Sequence, residues 1–385
     1  MKRRQAAYRH VAQGLGDCSP ATFVVQGRLA RIGGQNLLFG SSRQAVFAVN
    51  DTAADIWCSL QDGMSPEAIA VEIARGGIDR READRHVEAT LEGWERLGLI
   101  RPGAPLSRPP AYEHSQTVAV AGLCIRIVYP AAFAFPAITV FRHLEVRSEA
   151  ADIVLRLVER GERLHLFRDG EWILSCSSDE LPVVLKGQLL TEVLDHCAYA
   201  LALHAAALFR NERMVLLCGD PGAGKTTLTM ALAHAGFGFA ADDVTLLDSS
   251  GHATGLPFAP AVKAGAWPLL AERCPDLDAS PVFRRPDRRR VRFVAPRALA
   301  PAPATAVPVG CVVLLRRDSG SKACLEPVDP ASALRGLLNG AFAPGRTLSC
   351  SAFDALVSLI GSAGSYYLIY SGLDDAVELL AKACP

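Results

Sequence analysis

One eight-residue segment of the sequence has the residue types that hold the phosphates of a nucleotide. It reads Gly219-Asp220-Pro221-Gly222-Ala223-Gly224-Lys225-Thr226, which matches G-x-x-x-x-G-K-[ST], and Thr227 follows it. Glycines let backbone N–H groups turn toward phosphate oxygens, the lysine reaches the β- and γ-phosphates, and the neighbouring hydroxyl ligates Mg²⁺. An apolar run precedes the segment and an amphipathic run follows it, as a strand and a helix would. The segment therefore predicts a P-loop that binds ATP through Gly219–Thr227, with Thr226 on Mg²⁺.

Two adjacent carboxylates, Asp242 and Asp243, follow the short apolar run Phe237–Ala241. In an open α/β sheet the ligand lies outside the carboxyl ends of the strands, so both should face the phosphates. We expect Asp242 to organise Mg²⁺ and Asp243 to accept the proton of an attacking hydroxyl. On residue types alone, an Asp-Asp pair more often forms a turn, and a lone histidine such as His204 is more often a core residue.

Two basic features are candidates for contacts with phosphate or with the acceptor. Lys263 lies within the run Pro257–Trp267, where a ligand contact and a solvated lysine are equally open interpretations. The densest charge cluster of the chain runs from Arg284 to Arg292. Most of it fits a solvated loop, and Arg292, next to the apolar Phe293-Val294, is its candidate for a phosphoryl contact.

The second half of the chain alternates strands and helices around these residues. Strands are expected at Val215–Cys218, Phe239–Ala241, Val244–Leu247, Val309–Leu315 and Tyr366–Tyr370, and helices at Lys225–His234, Ala331–Leu338, Phe353–Ile360 and Leu373–Ala383. This order predicts an α/β domain. A strand over Val118–Val128, a hairpin of Leu164–Phe167 and Trp172–Cys176, and a helix over Gly187–Ala202 are expected before it.

The first hundred residues predict a smaller, winged-helix-like α+β unit. Strands at Phe23–Ile32 and Asn36–Phe39 should form a hairpin around Gly33-Gly34. Three helices follow: one capped at Asn50-Asp51, one capped by Ser65 with proline next, and one from about Arg80 to Leu97. Proline-rich Arg101–Gln116 predicts a linker, so we expect domains over residues 1–100 and 117–385, with the linker at 101–116.

Composition excludes several classes of function. The chain has 385 residues, with 40 basic side chains against 40 acidic ones, so nothing in its overall charge predicts a nucleic-acid or membrane partner. Its 11 cysteines are scattered without a C-x-x-C pair, which fits reduced thiols rather than disulfides or zinc. No run resembles a signal peptide or a transmembrane span, so we expect a soluble, cytoplasmic protein.

Taken together, His204, the segment Gly219–Thr226 and Ala241-Asp242-Asp243 resemble the active-site frame of HPr kinase/phosphorylase. The histidine stands fifteen residues before the first glycine, and the second aspartate stands eighteen after the lysine, as in that family. The resemblance implies that Lys225 contacts phosphate, that Asp243 is the catalytic base and that His204 assists it. It also raises a homo-oligomer, because HPr kinases are hexamers, although a motif does not carry assembly surfaces.

The sequence departs from that family downstream, where its acidic metal ligand in a glycine-rich stretch has no clear counterpart. The second metal ligand and the reverse, phosphorylase activity are therefore left open. Pro257–Trp267, which contains Lys263, instead resembles HPr-kinase-related proteins of peptide-modification gene clusters.

The N-terminal unit resembles PqqD-like domains through Val46–Trp57, Gly63–Ile69 and Leu97–Ile100. Such domains bind the leader of a ribosomally made precursor peptide, which adds a strand to the edge of the hairpin sheet and packs on the third helix. The resemblance implies that the edge near Phe23–Ile32 and the exposed side of Arg80–Leu97 receive a leader. A DNA-binding winged helix would need a basic recognition helix, and Arg80–Leu97 is not strongly basic.

Both resemblances together predict an ATP- and Mg²⁺-dependent kinase that phosphorylates a serine or threonine hydroxyl of a leader-bound precursor peptide, in the biosynthesis of a ribosomally made, modified peptide. Two alternatives stay open at this point. One is a kinase for a small hydroxylated molecule such as an amino acid, and the other is a non-catalytic ATP-binding partner that delivers the peptide.

Overall fold

A computed structural model describes residues 23–41, 44–102, 113–160, 163–294, 302–344 and 347–384. The chain divides into two compact units. The first consists of Met1–Ser107 with Gly170–Ser175, and the second of Arg108–Asp169 with Cys176–Pro385. No described helix is both long enough and apolar enough to cross a membrane.

The first unit consists of short strands and three helices. Its elements in chain order are β1 (Phe23–Val25), β2 (Gly27–Ile32), β3 (Gln35–Gly40), β4 (Ala45–Val49), α1 (Asp51–Gln61), α2 (Pro66–Arg75), α3 (Arg80–Leu97) and β5 (Ile100–Pro102). Strands β2, β3 and β4 form an antiparallel sheet in that order, and β1 pairs separately with β5.

Side-chain caps set the starts of the three helices. The Asn50 side chain accepts a hydrogen bond from the Ala53 N–H, and Ser65 does the same for Ala68, with Pro66 at the first position of α2. Asp79 caps α3, and Gly98 ends that helix in the left-handed region, at φ 68°. These contacts satisfy N–H groups that have no partner within a helix, and they confirm the predicted caps at Asn50 and Ser65.

Apolar residues of the three helices and the strands form one core in this unit. Trp57 of α1 and Trp94 of α3 meet edge to face, with ring centroids 5.4 Å apart. The expected strand Phe23–Ile32 is wrong in one respect, because it breaks at Gln26 into β1 and β2. A Cβ at Gly27 would lie 2.2 Å from the Phe39 carbonyl oxygen, so the chain approaches β3 closely where it changes partner.

The second unit begins with a sheet and two helices. These elements are β6 (Glu113–Val120), β7 (Leu123–Pro130), α4 (Ala131–Phe141), β8 (Ile153–Arg160), β9 (Arg163–Arg168) and α5 (Leu181–His196). Strand β10 (Glu171–Cys176) comes between β9 and α5 in the chain, and all but its last residue belongs to the first unit. Strands β9, β8, β7 and β6 are neighbours in that order.

The elements around the predicted phosphate site come next. They are β11 (Leu201–Leu203), β12 (Ala206–Arg210), β13 (Arg213–Cys218), α6 (Lys225–His234), β14 (Gly238–Ala241), β15 (Thr245–Leu247), β16 (Ala253–Gly255), β17 (Ala261–Lys263), α7 (Trp267–Leu270), β18 (Val282–Arg284) and β19 (Arg290–Phe293). The chain continues with β20 (Val309–Arg317), β21 (Cys324–Pro327), α8 (Pro330–Leu338), β22 (Ala341–Phe342), α9 (Cys350–Ser362), β23 (Gly364–Tyr370) and α10 (Leu373–Ala383).

The central sheet of this unit has the order β14-β12-β13-β20-β23-β21. Strand β12 is antiparallel to both β13 and β14, whereas β20 and β23 run parallel to β13. The carboxyl ends of β13, β14, β20 and β23 therefore lie at one edge, where Gly219, Asp242, Arg317 and Tyr370 are found. Apolar side chains of α6 and α10 fall in one core cluster and those of α8 and α9 in another.

Three sequence predictions for this unit need correction. The expected strand Val118–Val128 is the hairpin β6–β7, because Ala121 and Gly122 turn the chain with positive φ. The helix expected at Gly187–Ala202 runs over Leu181–His196, since Pro182 starts it. The ends of the predicted linker, Arg101-Pro102 and Glu113–Gln116, lie in strands, and residues 103–112 are outside the described ones.

Candidate functional site

The segment Gly219–Gly224 forms a loop between the central strand β13 and helix α6. Gly219, Gly222 and Gly224 all have positive φ, at 153°, 98° and 98°. A Cβ at Gly224 would lie 2.5 Å from the Tyr370 hydroxyl, which donates a hydrogen bond to the Ala223 carbonyl at 3.0 Å. Backbone conformation and close packing both require glycine here, and the N-terminus of α6 opens directly from the loop.

Lys225 is buried at the start of α6, and its ammonium group turns back over the loop. Its Nζ donates to the Gly219 carbonyl at 2.6 Å and to that of Asp220 at 3.4 Å. Burial lowers the pKa of this amine. The charge therefore lies inside the curve of the loop, where a bound anion would meet it together with the loop N–H groups.

Asp242 follows β14 and is only 2 % exposed. One carboxylate oxygen, Oδ2, accepts from the Thr226 hydroxyl at 3.3 Å, and the other, Oδ1, has no hydrogen-bond partner within the described chain. Burial, followed by the negative charge of Asp243, raises the pKa of Asp242 to about 7. A buried carboxylate with an unpaired oxygen beside a threonine hydroxyl has the oxygen donors that Mg²⁺ prefers, so Asp242 and Thr226 fit a magnesium ion.

Asp243 is held by a lysine from a distant helix. The Lys186 ammonium group, on α5, donates to Asp243 Oδ2 at 2.6 Å and to the Ala259 carbonyl at 3.3 Å. Burial alone would raise the pKa of Asp243, but the charge and hydrogen bond of Lys186 outweigh it and hold this pKa below its usual value. Asp243 is therefore kept as a carboxylate, with Oδ2 occupied by Lys186.

His204 lies between β11 and β12, beside the same aspartate. Its Nδ1 is 3.1 Å from the backbone carbonyl oxygen of Asp243, so Nδ1 carries the proton and donates it. Burial and then the positive charge of Lys225 lower the pKa of His204. In the neutral ring, Nε2 is thus a hydrogen-bond acceptor next to Asp243.

Several of these residues border one cavity of about 460 Å³, which we call the Lys225 cavity, but Asp242 and Lys186 are not part of its lining. It is lined by His204, Lys225, Thr226, Thr227 and Asp243, together with Lys263, Arg285 and Arg317. Four basic side chains against one carboxylate make it strongly positive, as a polyphosphate requires. The structure thus places His204, Asp243 and Lys263 in the lining with part of the loop, and Asp242 beside Thr226.

Arg292 lies elsewhere. It forms an ion pair with Asp278 at 2.5 Å and stacks 4.3 Å from the centre of the Trp267 ring. It is absent from the lining of the Lys225 cavity, and two other arginines are present there. Arg285 follows β18, and Arg317 ends β20, next to the loop in the central sheet.

A second cavity, of about 570 Å³, lies on the other side of the loop, and we call it the α8 cavity. It shares His204 and Pro221 with the Lys225 cavity, and its lining also includes Arg316, Arg335 and Phe342. Nothing in the sequence analysis singled out these last residues.

Lys186 was not singled out by the sequence analysis either. It lies fifty-seven residues before Asp243, on a helix whose apolar positions Leu185, Leu189 and Val193 are fully buried. A lysine among such positions is a signal in itself, because lysines are almost never buried without a partner. Among the described residues, no group of three or more His, Cys, Asp or Glu side chains could hold a metal ion.

One family model matches part of the first unit. Residues 36–100 match the family described as Coenzyme PQQ synthesis protein D (PqqD), so the chain contains a PqqD domain. No curated protein matches the sequence.

Three solved structures are similar to parts of the chain. Lasso peptide synthetase B1 complexed with the leader peptide is 26 % identical and covers 21 % of this chain and 100 % of its own, with a TM-score of 0.20. TbiB1 in complex with the TbiA(beta) leader peptide is 21 % identical over 21 % and 94 %, with a TM-score of 0.20. The Hpr(Ser) kinase/phosphatase from Coxiella burnetii is 12 % identical over 48 % and 90 %, with a TM-score of 0.23.

Proposed function

We propose that the second unit is an ATP- and Mg²⁺-dependent kinase of the P-loop type. The observation that carries the proposal is the Lys225 cavity, where a glycine-rich loop, a helix N-terminus and four basic side chains face one ionised carboxylate, Asp243. In this assignment the loop N–H groups and Lys225 bind the β- and γ-phosphates of ATP. Thr226 and Asp242 would hold Mg²⁺, which offsets phosphate charge when it is bound.

The acceptor in this proposal is a serine or threonine hydroxyl. Its oxygen attacks the γ-phosphorus, the bond from that phosphorus to the bridging oxygen breaks, and ADP leaves. Asp243 takes the hydroxyl proton on Oδ1, since Lys186 occupies Oδ2. His204 would assist by donating from Nδ1 to the Asp243 carbonyl, which helps to hold the aspartate in place.

The PqqD domain supports a peptide as the source of the hydroxyl. We infer that residues 36–100 bind the leader of a ribosomally made precursor peptide, and that the kinase site then modifies the core of the same peptide. Tethering raises the effective concentration of the acceptor into the millimolar range for a short flexible connection, so the catalytic cavity itself needs to bind only a short stretch of sequence. A role in the biosynthesis of a ribosomally made, modified peptide follows.

The test uses the full chain with ATP, Mg²⁺ and the precursor peptide encoded in the same gene cluster. Mass spectrometry should show a gain of one phosphate, and Asp243→Asn should slow that gain by about 10²- to 10⁴-fold because it removes the general base. Asp195→Asn, an exposed carboxylate on α5, is the matched control and should leave the rate unchanged.

Two outcomes would contradict the proposal. Transfer to a free amino acid at the same rate with or without the leader would show a small-molecule kinase. Binding of nucleotide and leader without any transfer would show a peptide-delivery partner that does not catalyse.

A further inference from the structure

We propose that the α8 cavity receives the acceptor segment of the peptide and that Arg316 and Arg335 bind a carboxylate of that segment. This inference rests on the proposed kinase function and adds a recognition site to it. The cavity holds about 570 Å³, enough for several side chains, and it lies beside the first three residues of the loop, Gly219–Pro221.

The two cavities have different linings, and this difference indicates which ligand each of them binds. Lys225, Thr226, Thr227 and Asp243 line the Lys225 cavity and not the α8 cavity, so the nucleotide phosphates and metal belong to the former. His204 lines both. A hydroxyl that enters from the α8 cavity therefore meets His204 at the boundary, next to the aspartate proposed to take its proton.

The basic side chains in the lining of the α8 cavity are Arg316 and Arg335, apart from His204. The Arg316 guanidinium lies over the Tyr367 ring, with its central carbon 3.6 Å from the ring centroid, and this contact helps to hold the group in place. Arg335 donates only to the Ala331 carbonyl at 3.3 Å and to the Ser332 hydroxyl at 3.5 Å. In the part of the chain that the structure describes, neither arginine forms an ion pair, and both are exposed.

The rest of the lining fits a peptide with an acidic group. Asp220 is the one carboxylate in the lining, and it is not paired with either arginine in the described chain. Phe342 is 53 % exposed at the same cavity and offers an apolar surface beside the two charges. Two unpaired guanidinium groups next to aromatic rings suit a carboxylate held in a peptide, because arginine binds carboxylates in a bidentate fork.

The experiment compares Arg316→Gln, Arg335→Gln and the double variant in the full chain, using the cluster-encoded precursor peptide as the probe. We expect the double variant to raise KM for the peptide about tenfold to a hundredfold, as loss of charged hydrogen bonds does. The dissociation constant of a fluorescent ATP analogue should stay unchanged. Arg213→Gln, an exposed arginine at the opposite end of β13, is the matched control and should behave as wild type.

Two altered peptides identify the carboxylate. One carries amides in place of the Asp and Glu side chains nearest the phosphorylated hydroxyl, and the other has an amidated C-terminus. The peptide that lacks the bound carboxylate should show the raised KM with wild-type enzyme and no further rise with the double variant.

The outcomes separate this inference from the kinase proposal. Absence of transfer by the wild type would overturn the proposed function itself. Normal transfer with an unchanged peptide KM in the double variant would overturn only the assignment of the α8 cavity. Weaker nucleotide binding by the double variant would also overturn it, because the cavity would then belong to ATP.

Discussion

The Lys225 site and the PqqD domain build their proposed binding properties in opposite ways. At the Lys225 site the structure buries ionisable side chains: Lys186, Lys225 and Asp242 are each less than a tenth exposed. In the first unit, which contains the PqqD domain, the core is largely apolar and includes a Trp57–Trp94 contact. Among the described residues, the outer strands of its three-stranded sheet each pair with the middle strand alone, so their outer edges could receive a partner. Backbone groups along such an edge share the binding of an added strand.

This difference teaches where single substitutions should matter. Buried charges act through electrostatics in a low dielectric, so each one should carry a large share of the proposed catalysis. A strand edge spreads its affinity over several backbone hydrogen bonds, so one side chain changes it modestly. The comparison holds only if substitutions in the two regions produce effects of clearly different size.

Apart from Asp243→Asn, the largest effect is expected from Lys225→Ala. The substitution removes the ammonium group that lies within the loop, and loss of one such preorganised donor slows a reaction by about 10²- to 10³-fold. The rate of phosphopeptide formation at saturating peptide measures it. Lys322→Ala, an exposed lysine, is the control. A decrease of less than tenfold would mean that the charge of Lys225 is not used in the reaction.

Asp242→Asn should stabilise the protein at alkaline pH. The pKa of Asp242 is about 7 in the folded chain against an ordinary 3.8, so stability falls as the pH rises from about 4 through 7. The variant lacks this pH dependence. Its free energy of unfolding should therefore rise relative to that of the wild type by roughly 2–3 kcal/mol between pH 5 and pH 8. Urea unfolding without divalent cations measures it. A constant difference in the free energy of unfolding between variant and wild type would show that Asp242 ionises normally.

Lys186→Met should have an intermediate effect on catalysis. Loss of a residue that positions a catalytic group typically costs about 10- to 100-fold. The substitution also removes the charge that holds the pKa of Asp243 down, so the acid limb of the pH profile of kcat should move to higher pH. Lys186→Arg should restore part of the rate. An acid limb that does not move would leave Lys186 with a packing role alone.

Short-range patterns in the sequence predicted much of this structure. The loop, α6 and β14 follow one another within about 25 residues, so their spacing brings Lys225 and Asp243 to the same edge of the sheet. Caps at Asn50 and Ser65 are also local, since each bonds an N–H three residues away. Local chemistry could therefore predict both.

Contacts between distant segments could not be predicted in this way. The pairing of Lys186 with Asp243 depends on how α5 packs, and no spacing rule connects residues that are fifty-seven positions apart. The choice of Arg285 and Arg317 over Arg292 at the cavity depends on Asp278 and Trp267, which engage Arg292. An arginine-rich run shows that charge is available but not which side chain a neighbour will occupy.

The smallest effect is expected at the sheet edge of the PqqD domain, where the structure offers two edges. Among the described residues, β2 and β4 each pair with β3 alone. The sequence analysis favoured the edge near β2, but this strand carries Arg28 and Arg31, and charges along an edge discourage an added strand. Strand β4 carries no charge, and Val46 on it is 60 % exposed.

Val46→Asp should therefore weaken binding of the free leader peptide by about tenfold, because one unfavourable side chain at a shared edge costs about 1.4 kcal/mol. Ile32→Asp, a substitution of equal charge at a 65 % exposed position on β2, is the matched comparison and should have little effect. Fluorescence anisotropy of a labelled leader measures both. The reverse result would place the leader on β2. A loss of leader affinity by Val46→Asp as large as the loss of rate expected for Lys225→Ala would show that leader binding is concentrated in one side chain.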